Sequence, residues 1–96
     1  MKPLTNELKF KIQQSHAGLR TCKWNEIYDN ETELINDLFS DKVLTDEDTD
    51  VYHTCKGYEY VKSFRKYYKK NRMLTDKQII QLKRLASEIA YYVYCE

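Results

Sequence analysis

Glycine and proline are almost absent from this chain, with two glycines and one proline in 96 residues. Tight β-hairpins draw on such residues, and no Asn-Gly or Asp-Gly pair occurs, so a hairpin-rich sheet is excluded. Phosphate-cradling loops need several glycines in a short span, so P-loop and dinucleotide-binding chemistries are excluded as well. No apolar run is long enough to cross a bilayer. The N-terminal stretch MKPLTNELKFK lacks the apolar segment of a secretory signal. The cysteines are three, Cys22, Cys55 and Cys95. An odd number without a signal argues for free thiols in a reducing compartment rather than a disulfide framework. These absences lead to the expectation of a cytoplasmic protein with no membrane contact. One domain is expected over residues 1–96, with a core small enough that a homodimer would help complete it.

What is present is apolar enough to fold, at 42% hydrophobic and 32% charged residues. Nine tyrosines stand against three phenylalanines. Tyrosine packs its ring while keeping its hydroxyl wet, which suits half-buried surfaces and interfaces. The net charge of +1 hides a strong segregation. Residues 1–24 carry a balance of +4, residues 25–50 one of −9, and residues 51–84 one of +8. Acidic and basic segments packed side by side would largely cancel; facing apart, they would give the protein two oppositely charged surfaces.

Helix signals dominate the chain. Thr5, Asn30, Thr45 and Thr75 each stand where an N-cap is needed. Thr75 with Gln78 forms a capping box, and Leu74 with Ile79 a hydrophobic staple. A first helix is expected from about Asn6 to Ala17, with Leu8 and Ile12 inward, Phe10 off that face and Gly18 as its stop. The stretch from Leu19 to Tyr28 reads as a short extended segment or a loop that pins Trp24 into the core. A second helix spans Glu31–Ser40 with Leu34, Ile35, Leu38 and Phe39 as its stripe. A third starts at Thr45, with Val51, Tyr52 and Cys55 as its apolar edge and Gly57 ending or interrupting it. A fourth covers Tyr58–Lys70, where Tyr60, Val61, Phe64, Tyr67 and Tyr68 form the stripe, and Asn71 caps it. The last runs from Asp76 to about Tyr94. Ile79, Leu82, Ala86, Ile89 and Val93 make its stripe, widened by Ile80, Leu85 and Ala90, as expected of a central helix. The fold class expected is an all-α bundle of about five short helices.

Candidate chemistry is thin. His16, Cys22, His53 and Cys55 are zinc-ligand types, but His53 and Cys55 are too close for the usual ligand spacing and no Cys-x-x-Cys exists. A cysteine nucleophile needs a nearby base and an electropositive setting, and Cys55 follows an acidic helix start. The acids Asp46, Glu47, Asp48 and Asp50 lack the glycine and closing glutamate of a calcium loop. No catalytic residue, metal or cofactor is therefore assigned, and the expectation is a non-enzymatic protein.

Two charged arrays remain. Lys62, Arg65, Lys66 and Lys69 share a helix face, with Lys70 beside them and Tyr60, Tyr67 and Tyr68 interleaved. Such a stripe suits phosphates, and its tyrosines suit stacking on bases, unless the core takes those tyrosines. Asp41, Asp46, Glu47, Asp48 and Asp50 lie in the acidic segment. Spaced carboxylates on a rigid surface can imitate a phosphate backbone and occupy the basic groove of a nucleic-acid enzyme. The alternative is that they neutralise the basic helices within the fold.

The run Gly57-Tyr58-Glu59-Tyr60-Val61, with Ser63-Phe64, Tyr67-Tyr68, Leu74-Thr75-Asp76-Lys77-Gln78 and Leu82, resembles a helical module of small bacteriophage and mobile-element proteins. The resemblance covers residues 57–93 and carries over no site residue. It implies a host-inhibitor role of the anti-CRISPR or other anti-defence type. The expectation is thus a protein that binds and blocks a host nucleic-acid-handling or defence protein through the acidic surface. The alternative is a small nucleic-acid-binding accessory protein using Tyr60, Lys62, Arg65, Lys66, Lys69 and Lys70.

Overall fold

A computed structural model describes residues 1–43 and 57–95. Among them the structure is all-α, with no strand. Among the described residues five α-helices occur: α1 (Asn6–His16), α2 (Trp24–Ile27), α3 (Glu31–Leu38), α4 (Gly57–Asn71) and α5 (Asp76–Ala90). A π-helical turn, Tyr91–Cys95, continues α5. The helix expected from Thr45 lies outside the described residues.

The helix starts follow the capping chemistry of the sequence. Thr5 Oγ1 accepts from Leu8 N at 3.2 Å, and Asn30 Oδ1 from Glu33 N at 2.9 Å. Thr75 and Gln78 exchange both bonds of the capping box, at 3.2 and 2.9 Å. Each satisfies an amide that the first helical turn would otherwise leave unpaired. Gly18 follows α1 with φ +78°, a left-handed conformation that ends the helix without a Cβ penalty.

The stretch from Leu19 to Tyr28 is not extended through its second half. Lys23 N donates to Glu26 Oε2 at 2.7 Å and Tyr28 N to Trp24 O at 2.9 Å, closing one helical turn. Ile27 and Tyr28 are fully buried, while Trp24 is only half-buried against the core. The tryptophan expected to pin the core thus lies at its edge.

Leu8, Ile12, Ile27, Leu34, Leu38, Val43, Tyr58, Val61, Leu82, Ala86, Ile89 and Ala90 form the core. α5 is its axis, packing against α1, α2, α3 and α4. Its wide apolar stripe is what allows this, except that Ile80 points outward at 49% exposure. α4 departs further from expectation. Only its first two turns are buried, through Gly57, Tyr58 and Val61, with Phe64 half-buried. Tyr60, Tyr67 and Tyr68 remain 53%, 38% and 36% exposed. At 3.6 residues per turn the core-facing line runs through 58, 61 and 65, and Tyr60 and Tyr67 fall on the far side of the helix from that line. Gly57 lies within α4, and what precedes it is outside the described residues.

Candidate functional site

The exposed part of α4 defines the candidate site. From Lys66 to Met73 every residue is exposed. Lys66, Lys69, Lys70 and Arg72 have no ion-pair partner among the described residues. Lys66 and Lys70 are spaced i, i+4, so their like charges oppose the helix by a few tenths of a kcal/mol. An anion laid along the face relieves that repulsion. Lys69 and Lys70 also sit in the last turn, where cations complement the helix dipole. Lys62 lies on the same face but is engaged within the protein. Glu59 shares a shallow concavity with Lys62, Ser63 and Lys66. Tyr60 and Tyr67, one heptad apart, lie about 10 Å from each other along the axis; Tyr67 is one turn from Lys70, while Lys62 and Lys69 lie on the other side of the helix. Tyr68 leans on Phe39, with ring centroids 5.5 Å apart.

Arg65 is drawn out of the stripe. Its Nη2 donates to Asp41 Oδ1 at 3.0 Å, and its Nε is buried without a partner. The expected basic and acidic sites therefore meet here, one residue of each array neutralising the other. Asp41 remains 93% exposed on its side chain. Asp46, Glu47, Asp48 and Asp50 lie outside the described residues.

The other acids between residues 25 and 43 are all engaged internally. Glu26 lies 3.9 Å from Lys11, Asp29 4.0 Å from Lys2, and Glu31 2.6 Å from Lys83. Glu33 lies 3.7 Å from the terminal amine. Asp37 accepts from the Tyr28 hydroxyl and, at 2.8 Å, from that of Tyr94. Burial first, then the Asp37 hydrogen bond and charge, push both hydroxyls well above the ordinary tyrosine range. The first three of these acids balance bases elsewhere in the fold, so the segregation written along the sequence partly cancels in space.

The thiols offer little chemistry. Burial raises the Cys22 thiol, aided by Glu26 and opposed by Ser87 and Lys11. The Ser87 hydroxyl beside it is buried without a hydrogen-bond partner. Burial also raises Cys95, against Lys9. A thiol held protonated is a poor nucleophile and a poor ligand. His16 stacks on Tyr91 with centroids 3.8 Å apart and contacts Glu88 through Nδ1 at 3.0 Å. Among the described residues no group of three or more His, Cys, Asp or Glu side chains converges as a metal site would require. His53 and Cys55 lie outside those residues.

Two features were invisible to spacing arguments. One is the pairing of Tyr28 and Tyr94 on Asp37. The other is a groove lined by Thr21, Cys22, Lys23, Trp24, Ile80, Lys83 and Arg84. Both join residues more than 50 positions apart.

Comparison with protein-family models, with curated proteins and with solved structures finds no match to this chain. Among the described residues, no helix is long and apolar enough to cross a membrane.

Proposed function

We propose that this chain is a non-enzymatic binding protein that engages nucleic acid through the exposed, basic second half of α4. The observation that carries this reading is the exposure of every residue from Lys66 to Met73, where Lys66, Lys69 and Lys70 have no internal counter-ion among the described residues and Tyr67 stands one turn from Lys70. The main objection from sequence was that the core would consume the tyrosines of this helix. Lysines meet phosphates, and exposed rings offer stacking partners that unpaired bases can use and a closed duplex cannot. Single strands are therefore the favoured form. The test is a mobility-shift titration with single- and double-stranded DNA and RNA at low salt. Binding is expected to be strongest for single strands and to disappear on combined Lys66→Glu and Lys70→Glu substitution, with helicity unchanged by circular dichroism. Equal binding by that variant would overturn the reading.

A second reading rests on the ten acids and one base of residues 25–50. In it, the chain binds and inhibits a host nucleic-acid-handling or defence protein, presenting Asp41, Asp46, Glu47, Asp48 and Asp50 as a phosphate mimic. The resemblance to small phage proteins leans the same way, whereas the internal pairing of Glu26, Asp29, Glu31 and Asp41 leans against it. Joint replacement of Asp46, Glu47 and Asp48 by lysine should abolish inhibition of such a target, and inhibition that survives it would exclude this reading.

A further inference from the structure

The groove between α2 and α5 is built differently from the α4 face. Its volume is about 390 Å³ and its floor is apolar, formed by the Trp24 ring, Ile80, the Cys22 thiol and the aliphatic stems of Lys83 and Arg84. Ile80 is half-exposed there. Three cations surround the floor. Lys83 Nζ stands 4.7 Å above the centre of the Trp24 ring and is paired with Glu31 at 2.6 Å. Lys23 and Arg84 have no carboxylate partner among the described residues. With Glu31 answering Lys83, the rim keeps two unanswered positive charges beside an apolar floor that water wets poorly.

We propose that this groove is a binding site for a small aromatic anion, a ligand with a flat apolar body and one carboxylate or comparable acidic group. The body lies against Trp24 and Ile80, removing their exposed apolar surface from water. The acidic group meets Lys23 and Arg84, and the guanidinium can hold a carboxylate through two parallel hydrogen bonds. Size selects a small molecule over a protein partner. The volume falls near the low end of small-ligand sites, roughly 300–1,000 Å³. A stable protein interface needs about 800 Å² on each side, far more than this groove offers. Trp24 comes from a single helical turn, and Ile80 and Arg84 from the central helix.

Trp24 is the single tryptophan of the chain, so its emission and its indole N–H resonance report on this groove alone. The intact protein is titrated with 4-biphenylacetate, with the corresponding neutral alcohol, and with acetate. The expected result is a saturable shift of Trp24 emission and of its indole cross-peak with 4-biphenylacetate. The alcohol should bind about tenfold more weakly, as loss of a charge-assisted pair implies, and acetate should produce no shift. Arg84→Ala and Lys23→Ala should each bring the anion down towards the alcohol, and Ile80→Ser should weaken both. Lys66→Glu with Lys70→Glu should leave the titration unchanged, which separates this site from the α4 face. No saturable change at millimolar anion, or equal binding of acid and alcohol, would overturn the proposal.

Discussion

Replacing Tyr28 by phenylalanine tests how Asp37 ties the chain together. The ring is fully buried and its hydroxyl donates to Asp37 Oδ2, while Tyr94 donates to the other oxygen. Phenylalanine keeps the ring's packing and removes only the bond. A hydrogen bond to a charged group contributes about 1.5–3 kcal/mol, so Tyr28→Phe should cost that much at pH 7. The cost should also depend on pH, with a definite sign. Burial and Asp37 raise the folded hydroxyl above its ordinary value, whereas in the unfolded chain it ionises near pH ~10. The contribution is therefore whole below about pH 10. Above it the unfolded state alone releases the proton, and stability falls by about 1.4 kcal/mol per pH unit. Wild type should thus lose about 1.4 kcal/mol relative to the variant between about pH 9 and pH 11. Tyr94 is half exposed, so solvent screening reduces its share, and it is present in both proteins. Urea unfolding at pH 7, 9 and 11, followed by circular dichroism, reads both quantities. A gap that stays constant with pH, or no cost at pH 7, would refute the reasoning.

Three further substitutions probe the scaffold. Arg72 follows α4 with φ +57°, a left-handed conformation that glycine adopts without strain, so Arg72→Gly should stabilise the protein by about 0.5–1 kcal/mol in the same denaturant assay. Thr75→Ala removes one half of the capping box and should cost about 1 kcal/mol, with the loss visible as a lowered melting temperature. Leu82→Ala opens a cavity at the centre of α5, where Leu82 has no exposed surface, and should cost about 2–5 kcal/mol.

Local chemistry was legible in the sequence where one stretch of chain supplies both partners. Thr5, Asn30 and Thr75 cap their helices because the oxygen and the amide it meets lie three residues apart. Gly18 ends α1 because no other residue type takes φ > 0 as cheaply. The stripes of α1 and α3 held for the same reason. On α4 the pattern misled, because tyrosine satisfies an apolar template without needing burial. Spacing alone could not separate the buried Tyr58 from the exposed Tyr60 and Tyr67. Trp24 misled in the same way, its size suggesting core while Ile27 and Tyr28 fill that role. Arg65 fitted the basic stripe by periodicity, and only the approach of Asp41, 24 residues away, removes it. The Asp37 cluster and the Trp24 groove depend on contacts of this long-range kind, which no window of sequence contains.

The central claim concerns the face of α4, and counterion release tests it most directly. Anisotropy of a labelled single-stranded oligonucleotide would be titrated with the protein over a series of salt concentrations. Each phosphate neutralised contributes a slope of about −0.7 in log K against log salt. With Lys66, Lys69, Lys70 and Arg72 engaged, the predicted slope is about −2 to −3. Combined Lys66→Ala and Lys70→Ala substitution should make it shallower by about 1.4 and weaken binding at every salt concentration. No binding at low salt, or a slope that the substitutions leave unchanged, would contradict the account.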